Sequence, residues 1–260
     1  MRLKDKAAIV TGAAQGLGLA IATRFFAEGA SVLLADVNAA KAAEVAGRLD
    51  PAGTRALSVA ADVAKADDVA AMTELAATSF GRIDVLVNNA GGAGAVLAND
   101  IEEVSETTWD AVVDVNLKGV FLCSKAVVPH MKRHKYGRIV NLSSGLAKGV
   151  GPAQGTNGAI LPYAASKAGI LGLTYLLAKQ LAPWNITVNA VLPGFMLTEE
   201  GTRVRAWYDG LPEPARKALL SRNAMGRPGN PDELASMVLF LASEEASYIS
   251  GSAHEVHGAG

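Results

Sequence analysis

The sequence predicts an α/β fold: a doubly wound parallel sheet with helices on both faces. Three observations lead there. Short apolar, partly β-branched runs alternate with stretches of helical periodicity along most of the chain. The first such run enters a Gly-rich turn that opens a helix. Half of the 260 residues are hydrophobic but only 5% are aromatic, a mix that suits Ala-rich helices on a buried sheet. No internal repeat, low-complexity tract or linker interrupts residues 1–260, so a single Rossmann-type domain is expected.

The first strand, Ala7–Val10, runs into Thr11-Gly12-Ala13-Ala14-Gln15-Gly16-Leu17-Gly18, and helical spacing follows through Phe26. Glycines let the backbone turn sharply and approach a ligand, while the helix start offers unpaired N–H groups to a pyrophosphate. The spacing is G-x-x-x-G-x-G rather than G-x-G-x-x-G. Its place at the first βα junction is what marks it as a phosphate cradle. Ser31–Ala35 is the second strand and ends in Asp36. An acid at that strand end can accept hydrogen bonds from both hydroxyls of an adenosine ribose, and it repels a 2′-phosphate. No Arg or Lys follows in Val37-Asn38 and Gln15 is neutral, which favours NAD over NADP. The competing role for Asp36 is a turn residue or helix N-cap.

Lys41–Leu49 reads as an amphipathic helix, Ala56–Ala61 as the third strand ending in Asp62-Val63, and Asp67–Phe80 as a helix. Val85–Val87 is the fourth strand and leads into Asn88-Asn89-Ala90-Gly91-Gly92. The run Gly91–Gly94 is a loop whose backbone closely approaches a neighbour. Thr107–His134 reads as one long helical stretch. Asn116 lies inside it, where a buried amide predicts a bend or a polar network and an exposed one predicts nothing. Gly137–Leu142 is the fifth strand and delivers Ser143-Ser144 to the same sheet edge. A Gly-rich loop, Gly145–Pro162, precedes a helix opening at Tyr163. Ile186–Leu192 is the sixth strand, followed by Pro193-Gly194 and Thr198. Pro231–Leu241 is a helix and Ala253–Val256 a closing strand.

Composition removes several functions. A formal net charge of −1 leaves no basic excess to neutralise nucleic-acid phosphates or an anionic membrane. The single cysteine, Cys123, excludes an internal disulfide framework. No run of 18 apolar residues appears, so no membrane span is expected. With the first strand beginning near Ala7, a cytoplasmic chain without a signal peptide is expected. His130 and His134 form an i,i+4 pair, but Lys132, Arg133 and Lys135 surround them, a setting unsuited to a metal.

Tyr163-Ala164-Ala165-Ser166-Lys167 places a phenol and an ammonium on one helix face. A nearby cation favours the phenolate and draws a tyrosine, ordinarily near pKa ~10, toward the working range. With Thr11–Gly18, Asp62-Val63, Asn88–Gly91, Asn116, Ser144, Tyr163, Lys167 and Pro193-Gly194 in this order, the sequence resembles the short-chain dehydrogenase/reductase family over nearly its whole length. The tail Ile249-Ser250-Gly251 and Val256-His257-Gly258 is also similar, although the family carries an acid where His257 stands.

The resemblance implies a catalytic set of Asn116, Ser144, Tyr163 and Lys167. Tyr163 would be the general acid/base, Lys167 would lower its pKa and hold the nicotinamide ribose, and Ser144 would steady the substrate oxygen. Asn116 would anchor a water linking Lys167 to solvent. The cofactor-binding residues it implies are Gly12, Gln15, Gly16, Leu17 and Gly18 in the turn, Asp36 at the ribose, Asp62 and Val63 at the adenine, Asn89 in the wall, and Met196 and Thr198 at the carboxamide, with Tyr163 and Lys167 shared. Ser144 is chosen over Ser143 by the N-x-S-S pattern, since adjacent side chains on a strand face opposite ways. The stretch from Ser144 to Tyr163 is longer than the family's, and the extra residues within Gly149–Leu161 would extend the rim of the substrate pocket.

The resemblance also implies that residues 195–225 form a lid. Its apolar and aromatic content favours a hydrophobic or aromatic secondary alcohol or ketone. Arg203 and Arg205 are candidates to meet a carboxylate, against the ordinary fate of a solvated arginine. The expected function is therefore NAD-dependent hydride transfer between nicotinamide and such a substrate. The alternatives are an NADPH-linked carbonyl reductase, a dehydratase on the same site, or a non-catalytic nucleotide-binding protein. The helices Thr107–His134 and Tyr163–Leu181 carry more apolar positions than one face on a sheet can use. Because family members pair such helices across two-fold axes, a homotetramer is expected.

Overall fold

The computed structural model describes residues 1–93, 100–149 and 160–259. Gly94 and most of the expected rim loop Gly149–Leu161 therefore lie outside the described residues. Seven strands form one sheet: β1 (Ala7–Thr11), β2 (Ser31–Asp36), β3 (Ala56–Ala60), β4 (Val85–Asn88), β5 (Gly137–Leu142), β6 (Ile186–Pro193) and β7 (Ala253–Val256). Every pairing is parallel, in the order β3-β2-β1-β4-β5-β6-β7.

The central strands are buried along their whole length, which explains why they read as continuous apolar runs rather than alternating ones. Successive side chains nevertheless go to opposite faces. Ala8, Val10, Val32, Leu34, Val85, Val87 and Val140 join one core with α1 (Gly16–Ala27), α2 (Ala39–Leu49) and α9 (Pro231–Ala242). Ile9, Leu33, Leu86 and Ile139 join the other, with α3 (Ala66–Phe80), α5 (Gly119–His134) and α6 (Leu161–Leu181). The chain winds outward from β1 to β3, then returns to place β4 on the other side of β1. That reversal opens a crevice beyond the strand C-termini.

Most predicted boundaries hold to within a residue or two. The single helix expected over Thr107–His134 does not form. It is divided into α4 (Glu106–Val113), a π turn over Asp114–Lys118, and α5. The π turn centres on Asn116, whose Nδ2 donates to Val112 O at 2.8 Å and competes with the regular backbone ladder. In α5, Cys123 is buried and burial pushes its thiol up to about 12, leaving no thiolate at neutral pH. The region beyond Gly194 holds two short helices that periodicity did not reveal, α7 (Arg203–Gly210) and α8 (Glu213–Leu220). Neither buries a side chain, so neither joins a core. Among the described residues no helix is long and apolar enough to cross a membrane.

Candidate active site

At the end of β1 the chain turns through Gly12, whose φ of +65° lies in the left-handed region. Gly18 is pressed onto that turn. A methyl group on Gly18 would fall 2.1 Å from Gly12 O and 2.5 Å from Asn89 Nδ2, so only glycine fits. Gln15 is the N-cap of α1 and makes no capping bond, which leaves the helix N–H groups facing the crevice. Both oxygens of Glu199 accept from the Gly16 N–H, at 2.9 and 3.2 Å. A carboxylate thus stands where an anionic ligand would sit, and the cradle fits a phosphate. Leu17 packs partly against the adjacent core. Thr198 closes this side, buried, with its hydroxyl 2.6 Å from Thr202 Oγ1, and buried Met196 bridges to Gly229.

Asp36 extends from the end of β2. One carboxylate oxygen accepts from Ala14 N at 3.0 Å and the other from Asn38 N at 2.9 Å. Asn38, not Asp36, caps α2. The sequence did not reveal Lys41, whose Nζ lies 3.0 Å from Gln15 Oε1. An ammonium therefore sits beside the same turn. Past β3, Asp62 accepts from Ala64 N, while Val63 is buried with its side chain packed against Gly119 of α5.

Beyond β4, Asn89 ties the two central strand ends together. Its Nδ2 donates to Thr11 O at 2.8 Å and to Gly12 O at 3.0 Å, and Thr11 Oγ1 accepts from Asn89 N and Ala90 N. Asn116 is fully buried. Its Oδ1 accepts from Gly92 N at 3.0 Å, and its Nδ2 donates to Gly92 O and Val112 O, both at 2.8 Å. The amide is consumed in clamping Gly92, leaving only one Oδ1 lone pair for the expected water.

Ser143 turns away, its Oγ donating to Lys167 O at 2.8 Å. Ser144 Oγ accepts from Leu146 N at 3.2 Å and lies near enough to Tyr163 to act on its phenol, so the structure brings Ser144 rather than Ser143 to the phenol. Tyr163 and Lys167 lie in α6 with the Lys167 Nζ 5.5 Å from the Tyr163 ring centroid. Lys167 is buried, and its Nζ donates to Leu142 O at 2.7 Å. A lysine at this place does not bring the phenol below its ordinary value. Burial raises the Tyr163 phenol above its ordinary value, and the Ser144 hydroxyl and the Arg203 charge pull it part of the way back. Burial instead lowers Lys167, to about 8.

The segment beyond Gly194 sends two arginines in different directions. Arg205 pairs with Asp209 at 2.8 Å and with Glu200 at 3.9 Å. Arg203 reaches the loop after β4, where a methyl group on Gly92 would lie 3.4 Å from its Nη2. The aromatics of this segment pack on one another: Phe195 meets Trp207 edge-on at 5.8 Å and Tyr208 at 5.5 Å. His257, in the position where an acid was expected, hydrogen-bonds Glu255 at 2.5 Å and backs onto Gly194.

The order of these elements matches a known pattern. A family model described as enoyl-(acyl carrier protein) reductase, of the short-chain dehydrogenase/reductase type, matches residues 12–258. The chain belongs to the short-chain dehydrogenase/reductase family. It is 43% identical to a 3-oxoacyl-(acyl-carrier-protein) reductase of Thermotoga maritima, covering 96% of each chain. It is 39% identical to a hydroxy(phenyl)methylsuccinyl-CoA dehydrogenase subunit of Thauera aromatica, over 96% of this chain and 94% of the relative. A short-chain reductase of Streptomyces niveus is 38% identical over 98% of this chain. The protein is accordingly an oxidoreductase of alcohol and keto groups that works with a nicotinamide cofactor.

Proposed function

We propose that the protein is an NAD-dependent oxidoreductase that interconverts a secondary alcohol and its ketone. The observation that carries this reading is the meeting of Ser144 and Tyr163 above buried Lys167, beside a Gly-rich turn that already holds a carboxylate. Gly12, Gln15, Gly16, Leu17 and Gly18 would cradle the pyrophosphate, with Asp36, Asp62 and the Val63 backbone toward the adenosine and Asn89, Met196 and Thr198 toward the nicotinamide. Bound there, the nicotinamide supplies or accepts the hydride.

The chain's own residues handle the proton. In reduction, Tyr163 gives its hydroxyl proton to the carbonyl oxygen while Ser144 hydrogen-bonds the same oxygen. A phenol held above its ordinary value keeps that proton at neutral pH, which suits a donor. Lys167, at about 8, is still cationic in about nine molecules of ten at pH 7 and steadies the phenolate left behind. In oxidation the same groups work in reverse. Asn116 holds Gly92 and so fixes the loop facing Lys167.

Asp36 supports NAD, since its carboxylate opposes a 2′-phosphate. Lys41 favours a second reading, an NADPH-linked carbonyl reductase, because its ammonium stands beside the turn that Asp36 also holds. Phe195, Trp207 and Tyr208 favour a hydrophobic or aromatic substrate under a lid of residues 195–225. Trp109, Phe121, Tyr175 and Leu176 are exposed on α4, α5 and α6, and burying them between copies supports a homotetramer. The test is a fluorescence titration with NADH and NADPH, together with a panel of secondary alcohols and ketones followed by NADH absorbance. Tighter NADH binding and turnover are expected. A tenfold preference for NADPH would favour the second reading, and no turnover with either nucleotide would end both.

A further inference from the structure

Resting on the oxidoreductase reading above, we infer that Asn141 and Thr174 are positioning residues for the reaction: their buried hydrogen bond sets how α6 lies on β5, and so where Lys167 and Tyr163 stand.

Asn141 stands on β5 between Val140 and Leu142 and is fully buried. Alternation puts Ile139, Asn141 and Ser143 on one face of the strand, the face that α3, α5 and α6 cover. A buried amide in an apolar strand is costly unless its polar atoms have partners. Here both do. Asn88, its register partner on β4, donates from Nδ2 to Asn141 Oδ1 at 2.8 Å and to Ser124 Oγ at 3.2 Å. With its oxygen taken, Asn141 turns its Nδ2 to Thr174 Oγ1, at 2.9 Å. Asn88, Ser124 and Thr174 are buried as well, so a chain of bonds runs inside the protein from α5 through β4 and β5 to α6.

Two further bonds tie the same helix to the end of the same strand. Ser143 Oγ donates to Lys167 O at 2.8 Å, and Lys167 Nζ donates to Leu142 O at 2.7 Å. Lys167 and Thr174 are seven residues apart, two turns along one face of α6. Held at both points, the helix has its height and tilt on the sheet fixed. Apolar residues at 141 and 174 would fill the same space but would accept whatever depth packs best, whereas a satisfied buried hydrogen bond accepts one arrangement. Asn141 adjoins the Leu142 carbonyl that receives the ammonium, so a slip at Thr174 reaches Lys167 through one rigid helix. Tyr163, one turn before Lys167, moves with it.

The test compares Thr174→Val, which keeps the shape and removes the hydroxyl, with Thr174→Ser, which keeps the hydroxyl. The full chains are assayed on the panel of secondary alcohols and ketones with NADH and with NADPH. Each is also briefly treated with acetic anhydride, and mass spectrometry compares acetylation of Lys167 with that of exposed Lys217. Thr174→Val should lose about tenfold in kcat, since a misplacement of about 1 Å is worth about a hundredfold. Its Lys167 should be acetylated several-fold faster than in wild type, because the ammonium is no longer held under the sheet edge. Thr174→Ser should stay close to wild type in both. Buried Cys123 reports general loosening, and its reaction with a thiol reagent should not change. An unchanged kcat or unchanged Lys167 acetylation in Thr174→Val would overturn the inference and leave the oxidoreductase reading intact. So would the same losses in Thr174→Ser, or an equal rise in labelling at Cys123. Should wild type turn over nothing with either nucleotide, the oxidoreductase reading fails by itself. Acetylation then decides the rest: faster labelling of Lys167 in Thr174→Val upholds the positioning of α6, and equal labelling overturns it. Should Thr174→Val not fold, Thr174→Ala carries the same expectations.

Discussion

Replacing Asn116 with alanine tests whether one amide sets the geometry of the site. The side chain makes three hydrogen bonds, to Gly92 N, Gly92 O and Val112 O, in a fully buried position. Stranding buried backbone groups costs about 1–3 kcal/mol each, and Gly92 is only partly shielded, so about 3 kcal/mol in total is expected. At about 2.1 cal/mol/K of unfolding entropy per residue, a chain this long has about 0.55 kcal/mol/K, and the melting temperature should fall by about 5 °C. Activity should fall further than stability. The loop facing Lys167 loses its clamp, and a displacement of about 1 Å near the chemistry costs about a hundredfold in rate. Calorimetry and steady-state kinetics on the same preparation would separate the two effects. A variant melting within a degree of wild type with unchanged kcat would refute the claim that Asn116 frames the site.

Three further outcomes are expected. Glu199→Gln removes the anion from the Gly16 N–H and should tighten NADH binding about two- to fivefold by isothermal titration; an unchanged Kd would mean the carboxylate does not compete with the cofactor. Gly18→Ala drives a methyl group into Gly12 O and should abolish measurable NADH binding with about 1–3 kcal/mol of destabilisation in urea, whereas wild-type affinity would show that the turn gives way freely. The pH profile follows from the two shifts, Tyr163 raised and Lys167 lowered to about 8. Reduction should stay level from about pH 6 to 7 and decline through about pH 8 as Lys167 loses its charge, while oxidation should rise with pH because the phenol must first lose its proton. A reductive limb centred below pH 7 would contradict the raised phenol.

The sheet was legible because both its faces are covered. Runs such as Ala7–Val10 and Gly137–Leu142 have no polar alternation to confuse with a helix. The Gly-rich turn, Asp36, Ser144, Tyr163 and Lys167 were legible because each lies just past a strand end or at one helix start, where sequence order dictates place. What escaped was set by contacts between distant segments. Glu199 meets Gly16, Lys41 meets Gln15 and Arg203 meets Gly92 across separations that no periodicity records. Asn116 gave a hint of disturbance, but the π turn it makes depends on Gly92 arriving from another strand. α7 and α8 bury nothing, so no apolar stripe marks them. The direction of the Tyr163 shift was also out of reach, because desolvation depends on packing while helical spacing shows only that Lys167 is near.

The central claim is that the Tyr163 hydroxyl moves the proton. Its most direct test is Tyr163→Phe, assayed for turnover and for NADH affinity side by side. Turnover should fall about a thousandfold with the NADH Kd changed by less than about threefold, since the ring, Lys167 and the Gly-rich turn remain. A variant that keeps a tenth of wild-type activity would contradict the account.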